Sequence, residues 1–331
     1  MSDAAQQEES RQQDDRYPID EYFLQVSDLS CLGFLFEARE KLAGHRRDIA
    51  DVFVSNLIAA YVTASAVPVF ARRTAYQGAV LTLLGVATGV DYSARPGGDP
   101  DRRERVWKSV DTDLSKSPWK EKAEEMAERM SEDYLSKFLQ ERPARDAADQ
   151  VLRQCTVLAW SAFEVLASDL FLLLVNENPK LSGLLFRDER TKKLYQSKEF
   201  VAALEEYEYD LSRSRGDVLL RQSRMDDLNT IRSTYAVLFG DRDSLRDALG
   251  GDRLWRLYKT RNLIVHRAAV VDELFLKTTG LSTALGSRLK ITPRELQESI
   301  LLVGHVGKEL LSAISTVVAV NPTAKVASDN A

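Results

Sequence analysis

The chain has 331 residues, 44% of them apolar and 29% charged, enough apolar side chain for one large or two ordinary globular cores. Its net charge is −5, with 45 Lys and Arg against 50 Asp and Glu, which excludes a protein that coats nucleic acid by overall charge; any such role must rest on a local patch. The 2 cysteines, Cys31 and Cys155, have no CxxC partner, so neither a zinc site nor a disulfide framework is indicated and a reducing compartment fits.

Residues 1–18 are polar, lack the apolar core of a secretory signal and read as a solvated, disordered tail. From Asp20 to Arg46, Phe23, Val26, Leu29, Leu32, Leu35, Phe36 and Leu42 recur at helical spacing. A second helix is predicted from about Asp48 to Ser65, stopping before Pro68, and a third over about Ala75 to Ala87. Val52 to Ala71 and Thr74 to Val90 carry no charge, but Ser55, Asn56, Thr63, Ser65, Pro68, Gln77 and Thr82 dilute them. The Arg72-Arg73 link is also short for a transmembrane hairpin. They read as a buried helical pair in a cytoplasmic protein, with membrane insertion the competing reading.

Arg95 to Asp101, Arg-Pro-Gly-Gly-Asp-Pro-Asp, is a loop by its proline and glycine content. Glu104 to Phe138 is predicted as a long surface helix, or two with a bend near Ser117, with Trp119, Ala123, Met126, Met130, Tyr134 and Phe138 at helical intervals. Arg142-Pro143 marks a boundary, and a strong helix runs from Asp146 to about Asn176. Lys180 to Lys198 and Arg213 to Arg224 read as irregular, with helices over Glu199 to Ser212 and Asp226 to Phe239. Asp241 to Leu249 ends at Gly250-Gly251, and Arg253 onward is helical again. A loop follows Thr279-Gly280, and the last helix starts at Thr292-Pro293, where Thr292 and Glu295 have capping-box spacing. The fold class is all-α: a helical region of unknown role over 19–142, a helical domain over 143–320 and a disordered tail over 321–331.

No phosphate-binding glycine loop, HExxH, paired-cysteine site or GxSxG elbow is present, so triphosphate hydrolysis, zinc proteolysis and α/β-hydrolase chemistry are poor readings. No metal or cofactor is expected. Of the 3 histidines, His45 and His305 have no catalytic partner in the sequence around them and read as structural or exposed. His266 differs. Between Asp252 and Arg267 lie Arg253, Arg256, Lys259, Arg261 and Arg267, opposed only by Asp252. This is the local basic patch that the net charge conceals. Asn262 and His266 are i, i+4 neighbours on a helix face, with Arg261 beside them. An imidazole can take the proton of a ribose 2′-OH, and a guanidinium can stabilise the charge growing on phosphate. A second acid for the leaving oxygen would come from a second copy across a twofold axis.

Arg261-Asn262-Leu-Ile-Val-His266 resembles the Arg-(polar)-x-x-x-His signature of HEPN domains. Trp160-Ser-Ala-Phe-Glu164 with Ser168-Asp169-Leu170, and Val270-Val-Asp-Glu-Leu-Phe275, are similar to segments of the same family. The resemblance covers about Asp146 to Val318. It implies a helical bundle that dimerises, with Arg and His of two protomers sharing a cleft. It further implies metal-independent RNA cleavage in a toxin–antitoxin or anti-phage setting, with an antitoxin or regulator as a possible partner. Carried over, Arg261 and His266 are the catalytic pair and Asn262 the polar accessory, with Arg253, Arg256, Lys259 and Arg267 toward RNA and Glu164 and Asp169 in support. The alternative is a non-catalytic module that binds RNA, a nucleotide or a protein through the same basic groove.

Overall fold

The computed structural model describes residues 17–25, 29–88, 119–195, 200–206, 208, 214–240 and 242–319. Among them the fold is all-α, with no strand beyond one isolated antiparallel bridge between Val270 and Arg288. The helices are α1 (Gly33–Glu40), α2 (His45–Thr88), α3 (Trp119–Gln140), α4 (Arg142–Glu177), α5 (Pro179–Arg187), α6 (Lys192–Tyr195), α7 (Phe200–Glu206), α8 (Arg215–Gln222), α9 (Leu228–Phe239), α10 (Asp243–Gly250), α11 (Asp252–Arg267), α12 (Glu273–Thr279) and α13 (Pro293–Ala319). The Arg95 to Asp101 loop, the first part of the helix expected from Glu104, residues 1–16 and the tail 321–331 lie outside the described residues. Of the N-terminal tail, Tyr17 is held by the Tyr22 ring and by the Arg145 guanidinium, 4.0 Å from its centroid.

The chain divides into two compact units, Met1–Ser27 with Val62–Leu152, and Asp28–Tyr61 with Arg153–Ala331. In the first, α3 buries Ala123, Ala127, Ser131, Leu135 and Leu139, a four-residue repeat that makes one stripe. Ala75, Ala79, Val80 and Leu83 of α2 meet Ala123 and Ala127, with Met126 and Met130 filling the margins. Small side chains allow close approach: a Cβ on Gly78 would lie 3.0 Å from Met130 Cε. A second cluster joins Phe23, Leu135, Leu139 and Ala148.

The second unit is built on α4, whose Cys155, Ala159, Trp160, Phe163, Leu166, Ala167, Leu170, Phe171 and Leu174 are buried. α13 packs on α1 and, at Gly307, on Leu166 of α4, and it buries Leu296, Ile300, Val303, Val306, Leu310 and Ile314 at intervals of three or four. Glycine inside a helix weakens it, and here its use is space: a Cβ on Gly307 would collide with the Phe53 ring at 2.3 Å, and one on Gly304 would lie 3.1 Å from Phe34. His305 between them is exposed and stacks on Phe34, with ring centroids 4.3 Å apart.

Several expectations about elements change. Pro68 does not end a helix: α2 continues through it as one element, so the pair of helices expected over 48–87 is a single helix. An interior proline costs a backbone hydrogen bond and clashes with the preceding turn. Buried Ala60, Tyr61 and Ala64 on one side and Ala75 and Ala79 on the other hold the helix in place. The continuous helix expected from Asp20 to Arg46 is instead two 3-10 turns, Ile19–Glu21 and Leu29–Leu32, followed by α1. The irregular stretches around 180–198 and 213–224 contain α5 and α8. Tertiary contacts shape them: the Gly216 amide donates to Asn176 Oδ1 at 2.7 Å, and Thr191 donates to the Leu185 carbonyl at 2.8 Å. The capping box at the start of α13 is formed, with the Thr292 amide donating to Glu295 Oε2 at 2.7 Å and the Glu295 amide to Thr292 Oγ1 at 3.2 Å.

Candidate functional site

The motif residues lie on α11, within the second unit. Its N-terminus follows Gly251, and buried Leu254, Leu257, Tyr258, Leu263 and Ile264 set its inward side. Arg261 does not face solvent freely. Its Nη2 meets both oxygens of Glu164 on α4, at 3.2 and 3.3 Å, and both side chains are mostly buried, 17% and 16% exposed. Its Nη1 donates to Asn262 Oδ1 at 3.0 Å, while its buried Nε has no hydrogen-bond partner among the described residues.

The pair is one segment of a longer polar chain. Trp160 Nε1 donates to Glu164 Oε1 at 2.6 Å. The Asn262 amide is near enough to the Tyr258 hydroxyl to pull its titration down. That hydroxyl donates to Asp227 Oδ1 at 2.8 Å, and Asp227 is itself the N-cap of α9, accepting from the Thr230 amide. The Tyr258 ring lies against Trp160 and Trp255, with centroids 5.3 and 5.7 Å away. Burial pushes the Glu164 carboxyl above its ordinary range, while the Trp160 donor and the Arg261 charge pull it back. Burial, then Asp227, pushes the Tyr258 hydroxyl up.

His266 is exposed at the last turn of α11. At about 100° per residue, Trp255, Lys259, Asn262 and His266 fall within roughly 60° of one another, so they form one ridge. Lys259 Nζ sits 4.2 Å from the Trp255 centroid, a cation–π contact, and Trp255 Nε1 donates to the Thr278 carbonyl. Directly after Arg267 the backbone turns through two left-handed non-glycine residues, Ala268 (φ 51°) and Ala269 (φ 63°). Such residues are strained and hold only where their surroundings fix them. Here the Ala269 amide donates to the Leu263 carbonyl, and the Leu289 amide to the Ala269 carbonyl.

The remaining expected site residues are distributed differently. Arg253, Arg256 and Arg267 lie about 90–150° around the helix from the ridge. Arg253 meets Glu298 at 3.4 Å and Arg267 meets Asp272 at 3.5 Å, whereas Arg256 is exposed. Asp169 is part-buried on α4, and burial raises its carboxyl; its charge in turn raises the Tyr235 hydroxyl. Among the described residues Arg261 bonds Asn262 and Glu164 and not His266, and Asn262 stands between them in sequence and on the helix surface. Sequence reasoning missed Tyr258, Trp255 and Asp227. Two had a signal: Tyr258 is four residues before Asn262, and Trp255 four before Lys259. No cluster of three metal-ligating side chains occurs among the described residues. The chain has no match among protein-family models, curated proteins or solved structures.

Proposed function

We propose that this chain is a metal-independent endoribonuclease of the HEPN type, acting in the cytoplasm as a homodimer whose shared cleft combines Arg261, Asn262 and His266 of two protomers. The observation that carries the reading is the hydrogen-bonded chain that fixes Arg261 and Asn262 from α4 and leaves His266, one turn beyond Asn262, exposed on the same ridge. A positioned amide and guanidinium beside an accessible imidazole suit transphosphorylation: the imidazole takes the 2′-OH proton, and the 2′-oxygen attacks phosphorus. The 5′-oxygen then leaves with a proton from the second imidazole, giving a 2′,3′-cyclic phosphate and a 5′-hydroxyl. Lys259 on the ridge adds a charge for the RNA backbone. A toxin–antitoxin or anti-phage setting, with a restraining antitoxin or regulator, follows from the same reading.

The test is cleavage of total RNA by purified protein in excess EDTA. Wild type should cleave and His266→Ala should lose at least about 100-fold, the scale of a general base. Cleavage that disappears with EDTA would sink the mechanism. A second reading draws on Arg261 itself: a guanidinium bound by Glu164 and mostly buried is also what a structural clamp looks like. On that reading the domain binds RNA, a nucleotide or a protein without turnover. Salt-sensitive RNA binding by wild type with no cleavage of any RNA supplied would favour it.

A further inference from the structure

The face of α11 turned away from the His266 ridge borders a concavity of about 220 Å³. Arg253, Arg256 and Lys290 bring cationic groups to it, and Thr156, Thr260 and Ser299 bring hydroxyls. Leu257, Leu289 and Leu302 add apolar lining. Two carboxylates, Glu295 and Glu298, also line it, and both have partners. Glu295 accepts from the Thr292 amide and hydroxyl, and Glu298 meets Arg253 and Arg294. Arg256 makes no ion pair with a described residue. A guanidinium and an ammonium in one lining suit a phosphate; hydroxyls and carboxylate oxygens beside them suit the hydroxyls of a sugar; the apolar lining suits a flat or aliphatic group. The volume is below that of sites for drug-sized ligands, which limits the occupant to a small molecule.

We infer that this concavity is a binding site for a small phosphorylated sugar derivative, of mononucleotide size or smaller, separate from the His266 ridge. Arg256 and Lys290 hold the phosphate, and Thr260, Ser299 and Glu298 face the sugar. The site moves Arg253 and Arg256 from an RNA track to a small-ligand pocket, and it stands whether or not the ridge cleaves RNA.

The experiment is calorimetric titration of the full chain with 5′-AMP, with adenosine as the probe lacking phosphate, and no RNA present. Wild type should bind 5′-AMP at least about 10-fold more tightly than adenosine, the factor expected of one charge-assisted phosphate contact. Arg256→Ala and Lys290→Ala should each weaken 5′-AMP by a similar factor; both side chains are exposed, so both variants keep the fold. His266→Ala should leave the affinity unchanged. No binding by wild type at millimolar 5′-AMP overturns the proposal. So does equal affinity in Arg256→Ala, or a loss in His266→Ala, which would place the nucleotide on the ridge. If Arg256→Ala weakens RNA binding by the same factor as 5′-AMP binding, the concavity is part of an RNA track and the small-ligand site is refuted.

Discussion

Arg261 and Glu164 each answer a cost that the other would otherwise bear. A mostly buried charge without a partner is strongly destabilising, and removing one member of such a pair leaves the other stranded. Glu164→Ala should therefore lower stability by about 3 kcal/mol in a denaturant titration. Glu164→Gln keeps the shape and reports on charge. Because burial raises the Glu164 carboxyl in the folded chain, the folded state binds its proton more tightly than the unfolded state does. Its contribution to stability is full below the unfolded value, ordinarily 4.5, and is lost as pH rises through the higher folded value. Denaturation at a series of pH values should show this downward slope in wild type and its removal in Glu164→Gln. An unchanged slope would mean that Glu164 is not the group responsible. At Ala268, glycine removes the left-handed penalty at a smaller entropic cost, so Ala268→Gly should stabilise by about 0.5 kcal/mol or more. If the strained turn sets the His266 imidazole, the same variant should lose RNA cleavage while gaining in melting temperature.

Among the elements, α11 shows what local pattern reveals and what it conceals. The Arg-Asn-x-x-x-His run, the neighbours at four-residue spacing and the capping box of α13 are all local, and all were legible. The partner of Arg261 lies 97 residues away on α4, and no periodicity announces such a pairing. The sequence marks Glu164 as a supporting residue, but its direct bond to Arg261 comes from tertiary packing. The same holds for Pro68, where propensity predicts an end and burial on both sides prevents it, and for α5 and α8, too short for a periodic signal. The helix glycines divide by their surroundings. Gly307→Ala should cost about 1–3 kcal/mol, since its Cβ meets the Phe53 ring at 2.3 Å. Gly183→Ala, inside α5 with nothing within 4 Å of the added carbon, should instead stabilise by about 0.5–1 kcal/mol. Thermal melts of the two variants check the contrast, and equal shifts would refute it.

At the scale of the molecule, two spans among the described residues, His45–Leu83 and Arg142–Glu177, are long and apolar enough to cross a membrane by length and composition. The second also carries buried Arg153 and the Glu164 that binds Arg261, as a core helix does. On the proposed cytoplasmic reading, fractionation without detergent should leave the chain in the supernatant; recovery in the membrane pellet would reverse it. The dimer makes a sharper claim. If acid and base come from two copies, mixing wild type with equal His266→Ala and allowing exchange should leave roughly one quarter of the activity per total protein, since only wild-type pairs hold two imidazoles. A site complete within each protomer would keep about half.

The left-handed turn at Ala268 and Ala269 leads into two short stretches, 269–271 and 286–289, that hydrogen-bond to one another on either side of α12 and its following loop. Val270 donates to Arg267, Val271 to Ser287, Gly286 to Val271 and Leu289 to Ala269, and the Leu289 carbonyl in turn accepts from buried Arg153 of α4. Exchange of these amide protons with deuterated solvent therefore requires α4 and the end of α11 to open together. Mass spectrometry of peptides covering 269–271 and 286–289 should show protection close to that of the helices themselves, so that the platform carrying His266 opens with the core, on a timescale far slower than loop motion.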